Sequence, residues 1–218
     1  MQIVVIGSQK GGSAKTTLAA HLAVEAERRG DGPAWLIDTD QQATLSTWHD
    51  RREAETPQRA EVLLSQLAGG LRTLEIERGA AICFIDTAPA ASADNDAIFR
   101  LADLVLIPVR PSPADLWAVG ATVAAVREAR QRFLFVITQA KPGSIITAQS
   151  IAALSRHGPV AQAMIADRVG YAMAMTSGNT APELAPKGPA ALELAALWAE
   201  VKAFFTESSK LERTGSHG

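Results

Sequence analysis

A chain of 218 residues, 47% of them hydrophobic, has the size and apolar content of one domain with its own core, and a formal net charge of −2 excludes a protein coated in positive charge. No apolar run reaches the roughly 18 to 20 residues that cross a bilayer. The N-terminus starts on a strand-like run without a basic region and cleavage site, so the expectation is a cytosolic protein. The single Cys83, inside the apolar run 80–85, reads as a buried inert thiol and excludes a cysteine-held cluster within one subunit.

Strand-length apolar runs alternate with longer amphipathic segments, the pattern of an α/β fold with a parallel twisted sheet and helices on both faces. The predicted strands are 3–6, 34–37, 81–85, 104–109, 132–138 and 161–165. The predicted helices are 15–29, 44–55, 92–101, 114–130, 147–156, 169–177 and 190–205. Ligands of such a sheet bind beyond the carboxyl ends of the strands. The fold is expected to fill residues 1–206 as a single domain, with 207–218 a polar stretch that reads as a disordered tail or an expression remnant.

After the first strand comes Gln9-Lys10-Gly11-Gly12-Ser13-Ala14-Lys15-Thr16-Thr17. A glycine-rich turn between a buried strand and a helix points several backbone N–H groups at one spot, which suits a nucleotide phosphate. Lys15 belongs on the β/γ phosphates and the Thr16 hydroxyl on Mg²⁺. Position 14 is alanine rather than the glycine of the ordinary G-x-x-x-x-G-K-[ST] pattern, so the loop is expected to pass it with negative φ.

The second strand leads into Asp38-Thr39-Asp40-Gln41-Gln42, where two carboxylates at i and i+2 point the same way and suit a metal or a water; Asp40 equally suits a helix N-cap. The third ends Asp86-Thr87-Ala88-Pro89, and an aspartate closing an apolar strand beside a phosphate loop is placed to reach Mg²⁺. The fourth runs into Arg110-Pro111-Ser112-Pro113-Ala114-Asp115-Leu116-Trp117. Charge is uneven: residues 1–126 carry 11 basic and 16 acidic side chains (−5), residues 127–218 carry 10 and 7 (+3).

The loop, with Lys10 opening it, resembles the deviant Walker A motif K-G-G-x-x-K-[ST] of the ParA/MinD/nitrogenase-iron-protein ATPases, and from position 1 to about 206 the order of segments is similar to that of small ParA proteins without an extra N-terminal DNA-binding domain. The resemblance implies an ATPase with ATP and Mg²⁺ as cofactors. Gly11, Gly12, Ser13, Ala14, Lys15, Thr16 and Thr17 would cradle the nucleotide, with Thr16, Asp38 and Asp86 at the metal. It also implies that Asp40 positions the attacking water and that Lys10 reaches the partner's nucleotide across an ATP-dependent homodimer. Gln41 and Ala88 stand where the family usually has proline. Thr138 stands where the family offers an asparagine to adenine, which moves the base contact to backbone or to the loop around Ala181, Pro182 and Glu183.

By the same resemblance, the dimer binds DNA without sequence preference through scattered basic residues, for which Arg156, Arg168, Lys187 and Lys202 are candidates. A ParB-like adaptor or cargo protein would stimulate hydrolysis, and the protein would be cytoplasmic and nucleoid-associated with no membrane contact. Cargo could be a plasmid, a chromosome or a protein assembly. The alternatives are a MinD-like membrane cycler, which needs a free C-terminal amphipathic helix, and a metabolic ATP-dependent ligase or iron-protein-like donor on the same scaffold. Lys10 argues against the ligase and the lone Cys83 against the electron donor.

Overall fold

The computed structural model describes residues 1–90 and 92–215, with side chains through Thr206. Its strands are β1 (Gln2–Ile6), β2 (Ala34–Asp38), β3 (Gln58–Arg59), β4 (Ile82–Asp86), β5 (Leu104–Val109), β6 (Phe133–Ala140) and β7 (Ile165–Ala166). All pair in parallel in the order β3-β2-β4-β1-β5-β6-β7. The helices are α1 (Lys15–Arg28), α2 (Thr44–Asp50), α3 (Leu67–Arg78), α4 (Ala93–Phe99), α5 (Pro113–Glu128), α6 (Ile145–Leu154), α7 (Val169–Thr176), α8 (Ala181–Leu184) and α9 (Pro189–Gly215).

Side chains alternate across the sheet, so one strand feeds two cores. Val4, Ile6, Leu36 and Phe84 face α1 and α9, where Leu18, Leu22, Leu194, Leu197 and Trp198 meet them; Val5, Ile37, Cys83 and Ile85 face α3 to α6. Alanines 19, 20, 23 and 26 let α1 lie close to the sheet, and full burial of a residue such as Leu22 contributes about 1.5 to 3 kcal/mol. Two helices on the second face, α4 and α5, start on side-chain caps: the Ser92 hydroxyl accepts from Asn95 N at 3.2 Å, and the Ser112 hydroxyl accepts from Asp115 N at 3.3 Å with Pro113 opening the helix.

The register places the site. Ile6 sits opposite Asp86 on one side and Leu106 on the other, and Asp38 sits opposite Asp86. The ends of β1, β4 and β2 therefore emerge side by side, the last two on aspartates.

Several expected boundaries shift for identifiable reasons. Helix α2 ends at Asp50 rather than 55, because Arg51 and Arg52 turn away to bond the last residue of α7 and Gly178 after it. The strand expected at 161–165 is only Ile165–Ala166, preceded by a single bridge between Phe135 and Val160. Glu200 of α9 takes the amides of Gln162 and Ala163 at 2.8 and 2.6 Å, so those groups do not pair with β6. Strand β3 and helix α3 have no counterpart in the sequence reading; Gly69 and Gly70 dilute the helical signal of Leu67, Leu71 and Leu74. The loop expected around 181–183 is the short helix α8, closed by a capping box in which Thr180 and Glu183 bond each other's backbone. Backbone helix α9 continues through Gly215 into the stretch left out as a tail, of which residues 216–218 lie outside the described residues.

Candidate functional site

The phosphate loop joins β1 to α1. Ala14 is the N-cap of α1 with φ 71° and ψ 30°, left-handed, which corrects the expected negative φ. An alanine there costs about 1 to 2 kcal/mol, and the surroundings hold it in place. Thr138 donates to the Ser13 carbonyl at 3.0 Å, Gln139 to the Gly12 carbonyl at 3.1 Å, and the Ser13 hydroxyl to the Lys10 carbonyl at 3.2 Å. Ala14 has no hydroxyl or carboxylate with which to cap the helix, and the first turn of α1 carries no acid. The opening amides are thus left for an external anion.

Lys15, 7% exposed, lies inside this loop with Nζ 3.5 Å from the Lys10 carbonyl. Burial lowers its pKa, and the nearby Asp86 and Asp40 carboxylates oppose that shift. Lys10 is half-buried, and its ammonium takes no hydrogen bond or ion pair among the described residues.

Asp86 is 1% exposed. Its Oδ2 accepts from the Thr16 hydroxyl at 2.5 Å, while Oδ1 is buried and takes no hydrogen bond among the described residues. Burial pushes the Asp86 carboxyl up to about 7, with Asp38 and Asp40 adding to the push and Thr16 and Lys15 opposing it. A buried carboxylate oxygen with no donor, beside a threonine hydroxyl, is the donor set a hard divalent cation such as Mg²⁺ takes together with phosphate oxygens and water.

The Asp38 carboxylate, expected at the metal, accepts two backbone amides. Its Oδ1 accepts from Asp40 N at 3.1 Å and its Oδ2 from Ser46 N at 2.9 Å, so here it ties strand β2 to helix α2. Asp40 caps the turn through Gln42 N at 3.0 Å. Thr39 anchors the segment to β4, its N and hydroxyl both reaching the Asp86 carbonyl, at 3.0 and 2.7 Å.

Two features escaped the sequence reading. Arg110 lies across the loop: Nη2 donates to the Gly11 carbonyl at 3.4 Å, and Nε and Nη2 hold buried Asp115 at 2.9 and 3.1 Å, which Ser112 also bonds at 2.6 Å. Gly12 has φ +73°, and a side chain there would meet the guanidinium at 3.3 Å.

The second feature is a clamp between α2 and α8. Buried Arg52 donates to Glu183 at 2.7 and 3.1 Å and to the Gly178 carbonyl at 2.8 Å, lies over the Trp48 ring, and Trp48 itself donates to the Asn179 carbonyl at 3.0 Å. Burial alone would raise the pKa of Glu183, but Arg52 and Thr180 hold it below the usual carboxylate value. From α8 the chain of contacts returns to the loop helix: Ala181 N donates to His21 Nε2 at 3.1 Å, and His21 Nδ1 donates to the Thr17 carbonyl at 2.8 Å. The sequence signal for this clamp was the Thr-x-x-Glu spacing at 180–183.

Of the other expected residues, Pro182 is buried in the first turn of α8 and Thr138 braces the loop. Arg168 is bound to Glu193 at 2.6 Å, and Lys202 pairs with Asp31 at 2.9 Å near the opposite end of the sheet. Arg156 and Lys187 are exposed.

Gly178 is where the clamp closes. It has φ +72°, and a Cβ would stand 2.5 Å from the carbonyl of Arg51 and 2.6 Å from Arg52 N. Gly178→Ala is expected to cost at least about 2 kcal/mol in urea denaturation through strain and overpacking. Gly143→Ala, at φ +75° with open space around it, should cost only the strain, about 1 kcal/mol. Equal losses would mean that the close approach is not a constraint.

His21 is fully buried, and burial lowers its pKa to about 4. The unfolded chain takes up a proton below pH 6.5 that the folded one refuses until about 4. Stability is therefore expected to fall as pH drops through that window, by about 3 kcal/mol in total. His21→Gln should remove this component from the pH profile of the denaturation midpoint.

Comparison with known proteins agrees with this geometry. Over 198 residues the chain is 27% identical to a protein of Halothiobacillus neapolitanus named "Maintenance of carboxysome distribution protein A", covering 87% of this chain and 91% of that one. It is 30% identical over 119 residues to "Protein ParA" of Rhizobium radiobacter, about half of each chain (53% and 51%). In fold it is similar to apo McdA of Cyanothece, with a TM-score of 0.75 at 19% identity over 94% of this chain and 99% of that one. The septum site-determining protein MinD of Pyrococcus horikoshii, solved with Mg-ADP, gives 0.75 at 16% identity over 92% and 95%. Residues 4–181 match the model of the CobQ/CobB/MinD/ParA nucleotide binding domain, and the chain belongs to that family.

Proposed function

We propose that the chain is a ParA-type positioning ATPase, which binds ATP with Mg²⁺, dimerises on it, associates with DNA without sequence preference, and hydrolyses the nucleotide when a ParB-like adaptor or cargo protein stimulates it. The observation that carries this reading is the pair of lysines in one loop. Lys15 is sequestered against the loop carbonyls where the β/γ phosphates would lie, whereas Lys10 keeps an ammonium with no partner among the described residues. An ordinary phosphate loop has no use for the second cation. Two triphosphates brought face to face repel strongly in a partly desolvated interface, and a lysine from each subunit offsets that charge.

The uncapped amides of α1 would take the phosphates, Thr16 and the free oxygen of Asp86 would hold the cation, and Pro182 with its neighbours would border the base. The bound cation supplies charge neutralisation of the β and γ phosphates. Asp40 is the carboxylate left to orient water, and Asp38 holds it in place through the Asp40 amide. Among cargo classes a protein assembly is favoured by the similarity to the Halothiobacillus protein named for carboxysome distribution. The location that fits such a cycle is cytoplasmic and nucleoid-associated.

A membrane-cycling reading needs a free amphipathic last helix. The apolar stripe of α9 is already used: Leu194, Leu197, Trp198, Val201 and Phe205 are 0 to 7% exposed in the core against the sheet. No described helix is long and apolar enough to cross a membrane.

Lys10→Ala is expected to keep ATP binding as a monomer and to lose the dimer formed on a slowly hydrolysed ATP analogue with Mg²⁺, read by sedimentation velocity. A variant that dimerises like the wild type would return the chain to the general pool of phosphate-loop proteins. Asp40→Ala should still bind and dimerise but turn over at least about 100-fold more slowly, because a water-orienting carboxylate serves the transition state more than the ground state. Unchanged turnover would leave Asp40 as a turn cap alone.

A further inference from the structure

At the end of the sheet opposite the phosphate loop, the helices α4, α5 and α6 finish beside the starts of β5, β6 and β7, three strands that neighbour one another. Each of these ends carries arginine: Arg100 after α4, Arg127, Arg130 and Arg132 around the end of α5, and Arg156 after α6. Hydrogen bonds draw the ends together. Gln131 donates to the Arg100 carbonyl at 3.1 Å, Arg127 to the His157 carbonyl at 2.6 Å, and Arg132 to the Phe204 carbonyl of α9 at 2.8 Å.

All five arginines are exposed, and none is in an ion pair with a carboxylate among the described residues. Arg168 and Lys202, by contrast, are spent on Glu193 and Asp31. Among the described side chains, the acids on the same segments are Glu128, exposed on α5, and Asp103, which accepts from Ile3 N at 2.7 Å. A cation near the end of a helix complements the negative pole of its dipole, which accounts for one arginine per helix. It does not account for five on one pole, three of them within six residues.

We propose that this arginine pole, and not the set Arg168 and Lys202, is the surface that holds the phosphate backbone of DNA. The inference rests on the reading of the chain as a DNA-associating ATPase and specifies where the contact lies. Planar guanidinium forks suit phosphate oxygens. Strands about 4.8 Å apart spread the arginines over roughly 10 Å, enough to meet several phosphates of one duplex. A lipid surface is disfavoured because none of the exposed large apolar side chains lies on segments 100–104, 127–133 or 154–158, and interfacial binding needs such residues to insert.

The test uses the full chain, a labelled random-sequence duplex of about 40 base pairs, and a potassium chloride series, with and without the ATP analogue. The triple variant Arg127→Gln/Arg130→Gln/Arg156→Gln is expected to bind at least about tenfold more weakly, with a slope of log affinity against log salt shallower by about 3. Its ATP-dependent dimer and its hydrolysis without DNA should match the wild type. Lys202→Gln should leave the salt slope unchanged, and the wild type without nucleotide should keep weak binding at low salt. A triple variant with the wild-type slope overturns the proposal while leaving the ATPase reading intact. So does a wild type that ignores the duplex and is retained on phosphatidylserine vesicles, or that binds neither. Loss of the dimer on the analogue would instead strike the ATPase reading, and is read separately by sedimentation.

Discussion

The carboxylate of Asp86 is buried with one oxygen unpaired among the described residues, and much of the site is arranged around it. It is buried at the end of β4 between β1 and β2, with one oxygen satisfied by Thr16 and the other by nothing among the described residues. A carboxylate in such a place resists ionisation, which is why its pKa rises. A divalent cation would remove that cost, and the uncapped N-terminus of α1 beside it would accept the phosphates such a cation accompanies. The same strand register that creates the discomfort also fixes the neighbours: Asp38 opposite Asp86, and the loop directly after Ile6.

Around this centre the chain forms a closed circuit of hydrogen bonds. Asp38 and Thr39 fix the segment that carries Asp40 and leads into α2; Arg52 joins the end of α2 to Glu183; Ala181 joins α8 to His21; and His21 returns to Thr17, one residue past Thr16. Each link is buried or half-buried, where an unmade bond costs about 1 to 3 kcal/mol. The segment that carries Asp40 and helix α8 are thus held by one network. Arg110 closes the loop from the other side, tying Gly11 to Asp115.

The charges divide the molecule into two ends. The phosphate-loop end carries Asp38, Asp40 and Asp86 beside two lysines. At the other end the exposed arginines gather where helices finish. The described acids of α9, Glu193 and Glu200, belong to neither end: they are turned inward to take backbone amides and Arg168 around β7. The basic surplus of the second half of the sequence is therefore not spread evenly over its surface.

The sequence by itself determined the fold class and the phosphate loop, because both are written in local patterns: apolar runs of strand length, and lysines, glycines and threonines at fixed spacing. It also placed Asp86 and Asp40 at strand ends, where short-range rules suffice. It misjudged the backbone at Ala14, since the left-handed turn is imposed by Thr138 and Gln139 from more than a hundred residues away. It assigned nothing to α3, whose glycines hide a helix that packing on the sheet sustains. Only the tertiary structure decided which basic residues remain unspent and which carboxylates face inward. Whether Arg168 is a free charge or half of a pair depends on where Glu193 lies, and that distance is set by packing between α9 and β7, not by anything within reach along the chain.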